Sequence, residues 1–253
     1  MEKPFILHML TTAKNLSPFD VNMAIDAGWI SAVPYINVEP SEVRGLVQDA
    51  IFSRSPKGLV RTGIFIGGRE TKQAMDMLKI AKNAMVPPFE VSVFADPSGA
   101  FTTAAGMVAA VEKELADKFG TTLEGKNILA LGGTGPVGQA AAVISAQAGA
   151  NVRIIGRQLD RAERTASAPQ LKVAADVNAV PPAGIAGVDA FDNGTPIAGS
   201  ISGAVGIGAL AIGNIKYQAQ SRLLKRMLES EKPLYLHFEH AFEVAREFIK
   251  TPR

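Results

Sequence analysis

Short apolar runs alternate with amphipathic stretches of helical period along this chain, a pattern that predicts a mostly parallel sheet covered by helices. Residues 5–10 read as a first strand. Ser17 and Pro18 then supply a cap residue and a proline at the first helical position, for a helix that closes near Gly28. Residues 30–36 form a second strand candidate, and residues 40–52 a helix with Val43, Leu46, Val47, Ala50 and Ile51 on one face. A third strand over 63–66 ends in Gly67 and Gly68. A helix over 72–84 stops before Pro87 and Pro88, a fourth strand covers 89–94, and a long helix over 101–118 is ended by Gly120. The last clear elements are helices over about 207–228 and 238–249. A domain boundary is expected near residue 122. It divides an N-terminal α/β domain (1–122) from a dinucleotide-binding domain (123–231), and the terminal segment 232–253 is a candidate to fold back on the first.

Just past the middle, the pattern carries chemistry. An apolar run over 128–131 leads into Gly133-x-Gly135-x-x-Gly138, which opens an alanine-rich helical run, and a second strand candidate over 151–156 ends at Arg157. In a Rossmann-type unit the first glycine permits the tight turn, the second lets backbone approach a pyrophosphate, and the third allows close helix–strand packing. The helix N-terminus presents unpaired N–H donors and the positive end of its dipole to phosphate. The plain alternative is a strand-to-helix turn that uses glycine for sterics alone. In a chain with 24 glycines the spacing is weak by itself, but its strand–loop–helix–strand context favours a nucleotide site. Gly133, Thr134, Gly135, Pro136, Val137 and Gly138 are therefore candidate cofactor-binding residues.

At the end of the second strand, dinucleotide folds often place Asp or Glu to hold a ribose hydroxyl, whereas Arg suits a 2′-phosphate. Here the residue is Arg157, with Arg161 four positions on. A guanidinium–phosphate bond contributes roughly 1.5–3 kcal/mol, enough to favour NADP over NAD by about ten- to a hundred-fold. NADP is the expected cofactor, with NAD also usable; a surface arginine at a strand end is the ordinary alternative. Asn178 follows a further strand candidate, over 171–176, and suits the nicotinamide side of the site. An Asx turn before Pro181 and Pro182 explains it equally.

Other polar residues carry both a functional and a structural reading. Asp96, Thr102 and Thr103 follow the fourth strand, where ligands of open α/β sheets bind, so they are candidate substrate-binding residues; helix capping accounts for them nearly as well. Asp20 stands at the third helical position after Ser17, where spacing alone favours dipole and cap support of about 0.3–1 kcal/mol. Lys216 ends a charge-free stretch of 23 residues and either snorkels or points into a binding site. His8, His237 and His240 offer no set of three ligands, so no metal is expected.

Composition narrows the class further. A net charge of +2 gives no reason to expect nucleic acid, and the absence of cysteine excludes disulfides and cysteine zinc sites. The charge-free stretches 127–152 and 193–215 are interrupted by glycines and divide into shorter pieces, so both are expected to be buried soluble segments and not membrane spans. The first residues lack the pattern of a secretory signal, and a cytoplasmic protein is expected.

Several of these pieces occur in one order: Ser17-Pro-Phe-Asp-Val21, Asp96-Pro-Ser-Gly-Ala-Phe-Thr-Thr103, Gly132-Gly-Thr-Gly-Pro-Val-Gly138, Asp176-Val-Asn-Ala-Val-Pro-Pro-Ala-Gly-Ile185 and Gly206-Ile-Gly-Ala-Leu-Ala-Ile-Gly-Asn-Ile-Lys216. Nearly end to end, the chain resembles the NAD(P)-dependent methylene-tetrahydromethanopterin dehydrogenases of methylotrophic bacteria. The resemblance implies an N-terminal parallel α/β domain, a Rossmann-type NADP-binding domain, a cleft between them and a homotrimer. It implies oxidation of methylene- to methenyl-tetrahydromethanopterin in one-carbon metabolism, with Asp20 and Lys216 as the catalytic pair. Asp20 is suited to the amidine edge of the pterin and Lys216 to a pterin oxygen. Gly156-Arg-Gln-Leu-Asp160 resembles the NADP-preferring members. A methylene-tetrahydrofolate dehydrogenase and a nucleotide-binding homologue without catalysis are the alternatives.

There is one departure from the family. Its members carry a further helix, strand and connection between the Arg157 region and the Asp176 strand, whereas this sequence passes from Arg164 to Leu171 almost directly. Loss of that segment removes sheet and pocket wall on the adenine side, and so bears on NADP affinity more than on pterin binding. Intact mass spectrometry is expected to return 26.6 kDa if the nucleotide domain is truly shortened; a heavier chain contradicts the shortening.

Overall fold

The computed structural model describes residues 3–155, 170–180 and 184–250. Its strands are β1 (Ile6–Leu10), β2 (Ser31–Tyr35), β3 (Thr62–Ile66), β4 (Ser92–Ala95), β5 (Asn127–Leu131), β6 (Asn151–Ile155), β7 (Val173–Ala175), β8 (Asn193–Pro196), β9 (Val205–Ile207) and β10 (Tyr235–Leu236). The described helices are α1 (Pro18–Asp26), α2 (Val43–Phe52), α3 (Pro56–Leu59), α4 (Thr71–Ala84), α5 (Ala100–Phe119), α6 (Pro136–Gln147), α7 (Ala209–Glu229) and α8 (Phe238–Lys250). They belong to two compact units, one comprising Met1–Phe101 with Gln220–Ala241, the other Thr102–Ala219 with Phe242–Arg253. The position expected for a boundary, near residue 122, lies within the second unit, just past α5.

The first unit is built on a wholly parallel five-stranded sheet in the order β10-β4-β3-β1-β2. β3, in the middle, is buried along its whole length, as a parallel strand covered on both faces must be. Pro34 lacks the N–H a central ladder needs, and it sits in β2, at the sheet edge. α2 starts at Val43 and not at residue 40, because the preceding residues form a turn: the Glu39 N–H donates to the Glu42 carboxylate at 2.8 Å. β4 starts at Ser92 and not at 89, because Val86 and Phe89 pair across a turn formed by Pro87 and Pro88.

Gly63 in β3 is fixed by the core around it. A Cβ there would stand 2.5 Å from Trp29 Cη2 and 3.0 Å from Met227 Cε. Trp29 is 2% exposed and packs edge-on against Phe5, with ring centroids 6.3 Å apart. Met227 belongs to α7, so the late segment of the chain fills the centre of this unit.

The second unit contains a β5–α6–β6 motif with parallel strands paired Asn127↔Asn151 through Leu131↔Ile155. Its other sheet is three-stranded, in the order β7-β9-β8. β7 runs parallel to β9, but β8 is antiparallel to it, a departure from the expected parallel pattern. Ala174, Val188, Ile197 and Ala204 form the core beneath that sheet, with Leu171 and Ile185 packed against it. Among the described residues β5 pairs with β6 alone. A Cβ on Gly106 of α5 would lie 3.1 Å from the Lys216 amide nitrogen and 3.3 Å from the Ile212 carbonyl oxygen, so glycine brings the backbones of α5 and α7 into contact. Arg246 of α8 donates two hydrogen bonds of 2.6 Å to Glu112 of α5, a bidentate clasp. No described helix is long and apolar enough to cross a membrane.

Substituting Gly63→Ala is expected to lower stability by about 1–3 kcal/mol through overpacking against Trp29. Urea unfolding should show a lower midpoint with an unchanged slope; a midpoint equal to that of the parent chain contradicts this packing.

Candidate functional site

The glycine loop joins β5 to α6, and its four glycines are required for different reasons. Gly132 has φ of +64°, a backbone region that favours glycine. A Cβ on Gly133 would meet Ile154 Cγ2 at 2.6 Å and the Ala130 carbonyl oxygen at 2.8 Å, so its absence lets the turn close on β6. A Cβ on Gly138 would meet Gly133 Cα at 2.5 Å, so its absence seats α6 on the loop. Gly135 differs from all three. Its φ of −79° and ψ of 164° suit any residue, and a Cβ there would touch only the Gly132 oxygen, at 3.4 Å.

A turn that uses glycine only for its own sterics accounts for positions 132, 133 and 138 and leaves 135 without a reason. A Cβ at position 135 would meet only the Gly132 oxygen among the described residues, at 3.4 Å, so a glycine there fits the close approach of a phosphate. The rest of the loop is consistent with such a cradle. The Gln139 side chain donates to the Thr134 carbonyl at 2.8 Å and fixes the loop. The first helical bond runs from the Gln139 N–H to the Gly135 carbonyl, so the N–H groups of Val137 and Gly138 precede the helical ladder. Pro136 occupies the first turn, where it displaces no helical hydrogen bond. Arg157 and Arg161, the residues expected at the 2′-phosphate, lie outside the described residues.

Asn178 is exposed, beyond the end of β7. Its backbone N–H donates to Asp176 Oδ1 at 2.9 Å, and its own Oδ1 accepts from the Val180 N–H at 3.4 Å. The organiser of this loop is Asp176, which is buried and whose Oδ2 also accepts from the N–H groups of Gly184 (2.8 Å) and Ile185 (3.0 Å). In the sequence Asp176 marks the end of a strand candidate and opens one of the motifs that carry the resemblance, with no role of its own. The signal available for it was a carboxylate two residues before Asn178, the spacing of an Asx turn; its bonds to Gly184 and Ile185 carry no such signal.

Asp20 lies in the first turn of α1, whose start is fixed by the Ser17 carbonyl accepting from the N–H groups of Asp20 and Val21. The carboxylate is 3% exposed, and Oδ1 accepts from Gln220 Nε2 at 2.8 Å. Ser17 makes no side-chain cap bond. Gln220 is itself fully buried, 200 residues away in sequence, and was not expected. Lys216 is half-buried on α7, where its backbone is set by the contact with Gly106.

Asp96 is fully buried, and its Oδ1 accepts from the Phe101 N–H at 2.9 Å, so this carboxylate does fasten the start of α5. Thr102 is fully buried and Thr103 half-buried. An open cavity of about 350 Å³ lies in the first unit against Lys14, Asn15, Pro18, Val21, Pro34 and Ile36. It forms beyond the carboxyl ends of β1 and β2, and Asp20 is not among its lining residues.

The His8 ring meets the Tyr35 hydroxyl at 3.1 Å, and burial first, then the charge of Arg54, holds its pKa below the usual histidine value. Among the described residues no group of three or more His, Cys, Asp or Glu is placed to hold a metal ion.

The two glycine roles separate by substitution. Gly138→Ala is expected to cost about 1–3 kcal/mol of stability by overpacking. Gly135→Ala is expected to leave thermal stability unchanged while weakening NADP binding at least ten-fold in a fluorescence titration. Equal NADP affinity in the Gly135→Ala variant and the parent chain contradicts the phosphate cradle.

Residues 18–98 match the family model "Methylene-tetrahydromethanopterin dehydrogenase, N-terminal". The NAD(P)-dependent methylenetetrahydromethanopterin dehydrogenase of Methylorubrum extorquens is 45% identical over 292 residues, covering 96% of this chain and 98% of that protein. The bifunctional protein MdtA of the same organism is 29% identical, with the same two coverages. Since 96% of this 253-residue chain is about 243 residues, the first alignment holds about 49 positions with no counterpart here. Among solved structures, the methylenetetrahydrofolate dehydrogenase-cyclohydrolase (FolD) of Trypanosoma brucei, complexed with NADP cofactor and inhibitor, is 13% identical, with a TM-score of 0.41 over 99% of this chain and 89% of that one. By the identity it keeps along nearly its whole length, the chain belongs to the NAD(P)-dependent methylenetetrahydromethanopterin dehydrogenase family.

Proposed function

We propose that the chain transfers hydride from methylene-tetrahydromethanopterin to NADP, giving methenyl-tetrahydromethanopterin in one-carbon oxidation. The observation that carries this reading is the 45% identity over 96% of the chain to a dehydrogenase of that name. Gly135 supports the cofactor half, since it is the one glycine of the loop that neither its own backbone angles nor its neighbours require. NADP is preferred and NAD is the weaker alternative, a preference assigned to Arg157 and Arg161. Asn178 serves the nicotinamide side. The enzyme is cytoplasmic and works as a homotrimer.

The chemistry asks little of the protein beyond placement. The methylene carbon lies between two nitrogens whose lone pairs stabilise the cation left when hydride departs, so no general base is required. Bound nicotinamide supplies the hydride acceptor. The residues contribute orientation, which alone can be worth roughly 7–11 kcal/mol of barrier. The loop from Gly133 to Gly138 holds the pyrophosphate, and the N–H groups of Val137 and Gly138 face its charge. Asp20 takes the amidine edge of the pterin, and its negative charge also favours the cationic product. Lys216 takes a pterin oxygen, and Asp96, Thr102 and Thr103 complete the substrate side. Asp96 doubles as the fastening of α5.

A second reading is favoured by one observation. About 49 aligned positions of the longer relative are missing here, and among the described residues β5 has a single strand partner. These missing positions motivate the alternative of a nucleotide-binding homologue without catalysis. Purified protein given NADP and methylene-tetrahydromethanopterin is expected to develop reduced-cofactor absorbance at 340 nm; no signal at saturating substrate excludes the dehydrogenase. Activity confined to methylene-tetrahydrofolate instead identifies a folate enzyme. Arg157→Ala is expected to raise the KM for NADP about ten-fold or more and leave that for NAD unchanged. Equal changes in both contradict the 2′-phosphate role.

A further inference from the structure

We propose that Asp176 is a positioning residue for hydride transfer, one that sets where Asn178 meets the nicotinamide. This rests on the assignment of Asn178 to the nicotinamide side. Asp176 directly follows β7, and its backbone N–H donates to the Ile207 carbonyl of β9 at 2.9 Å. The residue is only 8% exposed, and its carboxylate gathers three backbone N–H groups. Oδ1 accepts from Asn178 at 2.9 Å, and Oδ2 accepts from Gly184 at 2.8 Å and Ile185 at 3.0 Å.

The surroundings are built for a carboxylate. A Cβ on Gly184 would stand 2.7 Å from Asp176 Oδ1 and 3.0 Å from Oδ2, so glycine lets the backbone close on both oxygens. The Gly184 backbone is not left-handed, so contact and not conformation calls for glycine there. Donors spread over both oxygens need a group that only accepts, whereas an Asn would turn its NH2 on at least one of them. Next to Gly184, Ile185 packs against the core of Ala174, Val188, Ile197 and Ala204. The carboxylate therefore carries the rigidity of that core, and of β9, to the backbone of Asn178.

Location is what points to function. Asn178 is exposed beyond the carboxyl end of β7, the side of an open α/β sheet on which ligands bind. β9, which holds Asp176 through Ile207, leads after Gly208 into α7, the helix that carries Lys216. A residue assigned to the nicotinamide and one assigned to the pterin are thus both registered to one strand. A reaction that depends on orientation needs such a shared reference, since a shift of about 1 Å can cost roughly a hundred-fold in rate.

The test is a kinetic cycle on the full chain with Asp176→Asn, Asn178→Ala and the double variant. Single-turnover hydride transfer from protio and dideuterated methylene pterin is read beside NADP affinity and thermal unfolding. Asp176→Asn is expected to slow hydride transfer about ten-fold or more, with a primary deuterium isotope effect on the slowed step and the Kd for NADP unchanged. The double variant is expected to be no slower than Asn178→Ala alone, because Asp176 acts through Asn178. Should Asp176→Asn fail to fold, Gly184→Ala displaces the same carboxylate from an exposed position and is expected to slow the same step. A parental rate of hydride transfer in the folded variant, with or without a loss of thermal stability, overturns the inference. So do additive losses in the cycle, or a loss of NADP affinity as large as the loss of rate; the dehydrogenase stands in each case. A parental rate in Asn178→Ala overturns the Asn178 assignment and the inference together. A parent chain that forms no NADPH from the methylene pterin overturns the proposed function itself.

Discussion

A carboxylate taken out of water must find donors, and in the first unit that requirement joins the two ends of the chain. Asp20 is buried in the first turn of α1, and its partner Gln220 comes 200 residues later. To supply it, the chain must return to the unit it left at Phe101. The returning segment then does more than satisfy one oxygen. Met227 packs over Gly63 beside Trp29, and the Val93 N–H donates to the Leu234 carbonyl at 2.7 Å as β10 joins the sheet next to β4. The N-terminal sheet is therefore completed by residues from the far end of the sequence.

The second unit depends on missing side chains more than on any one polar bond. Gly133 and Gly138 bring β5, β6 and α6 together at distances no Cβ permits, and Gly106 lets α5 and α7 approach so closely that a Cβ would be tight, at 3.1 Å from the Lys216 nitrogen. Gly135 stands apart, since among the described residues a Cβ there would meet only the Gly132 oxygen, at 3.4 Å, and its backbone angles suit any residue. The contrast fits a reaction that needs placement and little else. The protein's task is to set two reactants in contact, and tight backbone approaches are a stiff way to build the frame that does so.

How much of this was legible beforehand followed from distance along the chain. The period of apolar residues marked β1 to β3 and α4 to α6 to within a few residues, because each buries a continuous face. The small sheet of the second unit was harder to see. β8 and β9 lie in a glycine-rich stretch where Gly194, Gly199, Gly203, Gly206 and Gly208 break any period, and β10 has only two residues. Position 20 was visible as an acid in a first turn, a pattern capping explains, and its hydrogen bond to Gln220, 200 residues away, carried no signal in the sequence. Asp176 was hidden for the opposite reason. Its bonds are local, to residues 178, 184 and 185, but they belong to a loop with no periodic signal. The strand–turn–helix form of the glycine fingerprint was legible because it is local, contained within a dozen residues.

The proposed reaction passes hydride directly from the pterin methylene carbon to the nicotinamide ring, with no protein base taking part. Turnover of NADP with a pterin carrying two deuterium atoms on the methylene bridge, followed by mass spectrometry of the reduced cofactor, is the decisive measurement. Direct transfer places one deuterium in every molecule of NADPH formed. NADPH carrying hydrogen from solvent would contradict it.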